Sequence, residues 1–171
     1  MRRDTREKPA KSGLYTPEQR QRRDASGWTV VQGVLAPIQF VVFAVSTLLV
    51  FRFLYTGQGE NAATVSIVVK TLTLYLIMTT GAIWEKAVFD RYLFAPAFYW
   101  EDVFSMLVLA LHTAYLAALA TGALGVTGRM YLALAAYATY LVNAAQFLLK
   151  LRAARLQQSD AGASPRMVLA E

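Results

Sequence analysis

The chain has 171 residues, is 56% hydrophobic, carries a net charge of +6, and contains no cysteine and a single histidine, His112. An ordinary soluble domain is about 45–50% apolar, and one domain of this length cannot bury the surplus in its own core. The lack of cysteine excludes disulfides, iron–sulfur clusters, thiolate zinc sites and a cysteine nucleophile, and one imidazole excludes a multi-histidine metal site within a chain.

Residues 1–27 read as a basic tail with Arg2, Arg3, Arg6, Lys8, Lys11, Arg20, Arg22 and Arg23 and few large apolar residues. It has no apolar h-region or small-residue cleavage site, so it does not read as a secretory signal. A nucleic-acid arm is the alternative for such a run, but next to a membrane segment it marks the cytoplasmic side, and no nucleic-acid partner is expected. A transmembrane domain over 28–153 follows. Its first span covers about 30–55 and carries Pro37, which membrane helices tolerate when a neighbour satisfies the freed carbonyl. After the turn Thr56-Gly-Gln-Gly-Glu-Asn61, the second span covers about 62–89 and the third about 99–121. A Gly-containing turn over 122–128 leads to the fourth span, about 130–151. Each run has the roughly 20 apolar residues that a helix needs to cross hydrocarbon, without the alternation of a barrel strand. Residues 154–171, rich in Ala, Ser, Gly and Gln, read as a flexible tail. The fold class is therefore all-α, an integral membrane bundle of four transmembrane helices.

Lys and Arg in the flanks orient it. The N-terminal tail, the middle loop with Lys86 and Arg91, and the C-terminal flank with Lys150, Arg152 and Arg155 share one side. The other side has only Arg52 and Arg129. The positive-inside rule places both termini in the cytoplasm. Tyr15, Trp28, Trp84, Tyr92, Tyr99 and Trp100 fit an aromatic belt on that face. Loops this short leave chemistry only the bundle or its cytoplasmic rim.

Ionisable groups inside a bilayer are costly and mark functional candidates. Lys70 lies early in the second span, where its long stem allows it to snorkel to the opposite face. Glu85 and Lys86 lie near that span's cytoplasmic end, where rim ion pairs, including one with Arg91, are the simpler reading. Glu101 and Asp102 open the third span, where acidic residues also cap a helix N-terminus. Glu101, Ser105 and His112 fall on one stripe of that helix, with Glu101 and His112 roughly 16 Å apart along the axis. Asn143 and Gln146 share a face of the fourth span and suit interhelical hydrogen bonding. These features leave open an enzyme acting on a lipophilic molecule, a pigment-binding module and a structural subunit. Transport fits least, for want of paired repeats or broken helices.

The stretch Thr80-Gly-Ala-Ile-Trp-Glu-Lys86, then Tyr92-Leu-Phe-Ala95, then Phe98-Tyr-Trp-Glu-Asp-Val-Phe-Ser-Met-Leu-Val-Leu-Ala-Leu-His-Thr-Ala-Tyr115 resembles the bacteriochlorophyllide 3-vinyl hydratase family, 2-vinyl in the older naming. So do Tyr15-Thr16-Pro17-Glu18 with Arg22-Arg-Asp-Ala-Ser26, and Tyr140-Leu-Val-Asn-Ala-Ala-Gln-Phe-Leu-Leu-Lys150. The likeness covers about residues 14 to 155. It implies a hydro-lyase of bacteriochlorophyll synthesis in the inner or intracytoplasmic membrane of a phototrophic bacterium. Such an enzyme adds water to the C3 vinyl group of a chlorophyllide-type ring and gives the 1-hydroxyethyl derivative. Hydration changes no electron count, so no cofactor is implied, and the magnesium belongs to the substrate. Other enzymes of the same synthesis and a second copy of the chain are implied as candidate partners.

On this resemblance an acid protonates the terminal vinyl carbon, the macrocycle delocalises the cation, and water attacks the inner carbon. A carboxylic acid that stays neutral near pH 7 suits the first step, and withdrawal from water favours neutral carboxyls in general. Glu101 is the first choice as acid, with Glu85 or Asp102 as base and cation stabiliser. His112 is the candidate axial ligand to the substrate magnesium, by analogy with haem. Lys86 or Arg91 would hold the propionate, and Ser105, Asn143 and Gln146 would line the substrate site. The competing reading is a non-catalytic pigment-binding or assembly protein of the photosynthetic apparatus.

Overall fold

The computed structural model describes residues 14–163, which form five helices and, among the described residues, no strand. They are α1 (Pro17–Ala25), α2 (Gly27–Thr56), α3 (Glu60–Phe89), α4 (Tyr99–Thr121) and α5 (Val126–Ala163). Four of them, α2, α3, α4 and α5 up to Ala153, are long and apolar enough to cross a membrane.

The region read as a tail thus contains a short helix. Pro17 starts it, and Thr16 and Gln19 close a reciprocal capping box, with 2.9 Å from the Thr16 N–H to Gln19 and 3.3 Å from the Gln19 N–H to Thr16. Two otherwise unpaired amides at the helix start are satisfied in this way. At the other end α5 continues as helix to Ala163, past the expected boundary at 153. Arg2, Arg3, Arg6, Lys8, Lys11 and the last residues, 164–171, lie outside the described residues.

The long helices form two antiparallel hairpins. In the first, Trp84 donates to Thr29 at 2.9 Å, Gln32 to Thr80 at 2.8 Å, and Ser46 meets Ser66 at 2.7 Å. These pairs keep one register along the whole length of α2 and α3, and α2 runs unbroken through Pro37. The turn between them uses Gly57 and Gly59 at φ +70° and +87°, where a side chain would be strained. In the second hairpin, Asn143 donates to Ser105 at 2.8 Å and Lys150 to Glu101 at 2.6 Å. Small buried residues, Ala63, Ala133 and Ala136, let the backbones approach.

The hairpins meet along a seam that is polar and aromatic as well as apolar. Ser46 of α2 bonds Tyr137 of α5, Tyr75 of α3 bonds Thr113 of α4 at 2.8 Å, and Phe43 packs on the rings of Tyr137 and Tyr140. One end of the bundle is filled by Val50, Ile67, Tyr115 and Met130, and the other by Tyr15, Val88 and Phe98. Outward faces stay apolar, with Val30, Val41, Leu48, Val65 and Leu148 all exposed. A surface of that kind suits lipid chains.

Candidate functional site

The loop joining α3 to α4 folds over the bundle end that holds Trp84 and Phe98. It turns sharply, with Asp90 and Phe94 both in the left-handed region at φ 63° and 59°. The turn points two loop amides back at the helices. Phe94 N–H donates to Asp102 Oδ2 at 2.7 Å, and Ala95 N–H donates to Glu85 Oε2 at 3.3 Å. Glu85 comes from the end of α3 and Asp102 from the start of α4, and both are buried, 5% and 3% exposed. Their carboxyl groups lie within hydrogen-bonding reach of each other. A proton shared between two such carboxyls would make one the donor and the other the acceptor.

Glu101 is buried beside them, but it is held differently. Its Oε2 accepts from Lys150 Nζ at 2.6 Å, and the ammonium also sits 5.1 Å from the Phe98 ring centre. An oxygen that already accepts from an ammonium is poorly placed to deliver a proton. Neither acidic residue caps α4, whose N-cap is Phe98 with no side-chain bond. The site's wall is aromatic. Phe98 stacks on Phe147 at 5.8 Å, Trp84 meets Phe98 edge-on at 5.7 Å, and Tyr15 stacks on Phe89 at 5.8 Å. Tyr15 carries α1 onto this wall, and Arg23 lies over its ring at 4.8 Å. Burial raises the Tyr15 phenol above its ordinary value, opposed by Arg23.

Lys86 lies outside this cluster. It pairs with Asp90 at 2.6 Å, both side chains substantially exposed, and this bond holds Asp90 below the usual aspartate range. Lys86 thus forms a rim ion pair, as expected, with Asp90, which caps α3 one turn away, whereas Glu85 accepts from the Ala95 amide in place of the expected pairing with Arg91. Arg91 is exposed on the same loop.

A second group of polar side chains sits deeper. Lys70 does not snorkel. It is fully buried, donates to Gln39 Oε1 at 2.8 Å and stands 3.7 Å from the Tyr140 ring centre. The acceptor on α2 and the ring on α5 hold it in the interior, a correction that the stem length alone could not supply. His112 is 1% exposed. Its Nδ1 bonds the Val108 carbonyl at 2.8 Å, leaving buried Nε2 without a partner, and the ring packs 5.8 Å from that of Tyr137. Between the two groups, Asn143 bonds Ser105, and Gln146 Oε1 is buried without a partner.

The structure thus gathers Glu85, Glu101 and Asp102 at one end, and sets Ser105 and Asn143 below them. His112 is deeper still, on the same buried stripe of α4. Lys150, Tyr137 and Tyr140 were not singled out for the site in the sequence. Folding α4 and α5 about the turn at Gly122 would have brought Lys150 level with Glu101. The two tyrosines carry no comparable signal.

Residues 15–153 match the family described as 2-vinyl bacteriochlorophyllide hydratase. The protein of that name from Rhodobacter capsulatus is 64% identical over 156 residues, covering 90% of this chain and 91% of the relative. The one from Cereibacter sphaeroides is 65% identical over 148 residues, covering 86% and 92%. No solved structure matches the chain. Matches of this extent, over nearly all of the described bundle, mean that the chain belongs to the 2-vinyl bacteriochlorophyllide hydratase family.

Proposed function

We propose that the protein is a hydro-lyase that adds water to the C3 vinyl group of a chlorophyllide-type ring, giving the 1-hydroxyethyl group. Family membership and the relatives' names support the reaction. The observation that supports its location is the buried Glu85–Asp102 carboxyl pair against an aromatic wall.

In this reading the protonated member of the pair gives its proton to the terminal vinyl carbon. Positive charge develops on the inner carbon and spreads into the macrocycle, and the other carboxylate stabilises it. Water then attacks the inner carbon and passes its extra proton to that second carboxylate. One proton leaves the pair and one returns, so the two exchange roles and no electrons are transferred. Glu101, the first choice from sequence, becomes a positioning residue: with Lys150 it fixes the first turn of α4, on which Asp102 sits. The Phe94 and Ala95 amides hold the two carboxyls in place. His112, with Nε2 as its free lone pair, would present that nitrogen to the substrate magnesium. Ser105, Asn143 and Gln146 would line the path between, and no separate cofactor is called for.

In this reading the carboxyl end faces the cytoplasm and the bundle spans the bacterial inner membrane, which the positive-inside rule supports through Lys86, Arg91, Lys150 and Arg152 at that end. Pigment made in the membrane would reach it from the bilayer. Other enzymes of the synthesis and a second copy of the chain are candidate partners. Incubating the purified protein with the vinyl pigment tests the reading. A product heavier by one water, with a blue-shifted red band, is expected; pigment bound and returned unchanged would favour a carrier.

A further inference from the structure

Lys70 takes no part in the chemistry above, yet it is fully buried in the middle of a bundle whose outer faces are apolar. Among the described residues it forms no ion pair, and its one hydrogen bond is to a neutral amide oxygen. Because an ammonium only donates, this bond fixes the amide orientation and turns Gln39 Nε2 the other way. The same oxygen also accepts from Thr73 at 3.2 Å. Gln39 is 2% exposed, and Nε2 is buried with no acceptor. Two buried nitrogen donors, one on α2 and one on α3, therefore lie close together without an anion. A buried ammonium that lacks a counter-charge costs several kcal/mol, and buried charges in membrane helices pair with one another or mark a substrate path.

We propose that the seam between the two hairpins receives the flat ring of the substrate edgewise, and that Lys70 with Gln39 binds its propionate carboxylate. This rests on the hydratase reading, which supplies the ring and its vinyl group. The geometry carries it in three ways. Lys70 and Tyr140 face each other across the seam, at 3.7 Å, so a small separation of the hairpins uncovers the ammonium from the α5 side. Phe43, Tyr137 and Tyr140 line the same seam and offer ring faces to an aromatic macrocycle.

The spacing is the third point. Lys70 reaches Gln39 at the level of Thr73, and from there to Glu85 is about 18 Å of helix axis. Allowing roughly 3 Å for a contact at each end leaves about 12 Å, a span suited to two substituents on neighbouring rings of one tetrapyrrole. Of the two residues expected for this role, Lys86 is already paired with Asp90 in water-exposed surroundings, and Arg91 is exposed on the same loop, where an ion pair adds little.

The test uses the full chain in lipid nanodiscs and reads pigment fluorescence on binding. The ligands are the vinyl chlorophyllide as free acid and as propionate methyl ester. Wild type should prefer the free acid. Lys70→Met should weaken free-acid binding roughly 10- to 100-fold, the worth of one hydrogen-bonded charge, and leave ester binding unchanged. A Lys70→Met protein that binds the free acid as wild type does, or that keeps the same acid-to-ester preference, overturns the proposal. Gln39→Glu offers an independent reading should Lys70→Met fail to fold. A carboxylate supplied from within should weaken free-acid binding and spare the ester, and unchanged free-acid affinity overturns the assignment. Turnover is measured separately: binding without product from wild type counts against the hydratase reading and not against the carboxylate site.

Discussion

Replacing Lys150 by Met removes one partner from the ion pair that ties the end of α5 to the start of α4. The surviving Glu101 side chain is 10% exposed, and Lys150 is 26% exposed at a 2.6 Å contact. Breaking a fully buried pair costs about 3–5 kcal/mol, and breaking an exposed one about 0–1 kcal/mol. This pair lies between, nearer the buried limit on the Glu101 side, so a loss of about 2 kcal/mol is expected. For a chain of this size that is a fall in melting temperature of roughly 4–8 °C. The carboxylate is the liability once its partner is gone, so Glu101→Leu combined with Lys150→Met should recover most of the loss. Thermal melting of the three proteins in one lipid environment reads both effects. A single variant that melts with wild type, or a double variant as unstable as the single, refutes the argument that this is a desolvated, paired carboxylate.

Tyr137→Phe removes the hydroxyl that joins α5 to Ser46 across the seam, while Ser46 keeps Ser66. A cost of about 0.5–1 kcal/mol is expected from melting, in keeping with interhelical hydrogen bonds in membranes. Docking of α1 should depend on alkaline pH. Because burial raises the Tyr15 phenol in the folded chain, its contribution is complete below the ordinary tyrosine value of 10.0 and falls as pH rises through the raised one. Protease cleavage near Arg20–Arg23 should therefore quicken above that pH in wild type and show no such step in Tyr15→Phe. A rate independent of pH would place α1 off the aromatic wall.

Helix length, composition and the single-face stripes were legible in the sequence because they are local. Glu101, Ser105 and His112 do lie on one buried face of α4, and Asn143 does bond Ser105 on the neighbouring helix. Partner choice across helices was not legible, since it depends on register. Lys150 and Glu101 are far apart in sequence and meet because the Gly122 turn sets α4 and α5 in phase. Glu85 faces Asp102 rather than Lys86 or Arg91 because the loop doubles back at Asp90 and Phe94. The length of Lys70 suggested escape to a membrane surface, but Gln39 and Tyr140, from two other helices, hold it inside. The α1 capping box was written in Thr16, Pro17 and Gln19, yet the surrounding basic residues drew the segment into a tail.

The central claim is that the Glu85–Asp102 pair moves the protons of hydration. Measuring kcat for Glu85→Gln and Asp102→Asn against Glu101→Gln, with pigment affinity followed in parallel, tests it most directly. Loss of roughly 10²–10⁴-fold in kcat from either member of the pair, with binding retained and a smaller effect at Glu101, is the expected result. Near-wild-type turnover in both Glu85→Gln and Asp102→Asn, or abolition of turnover only in Glu101→Gln, would contradict it.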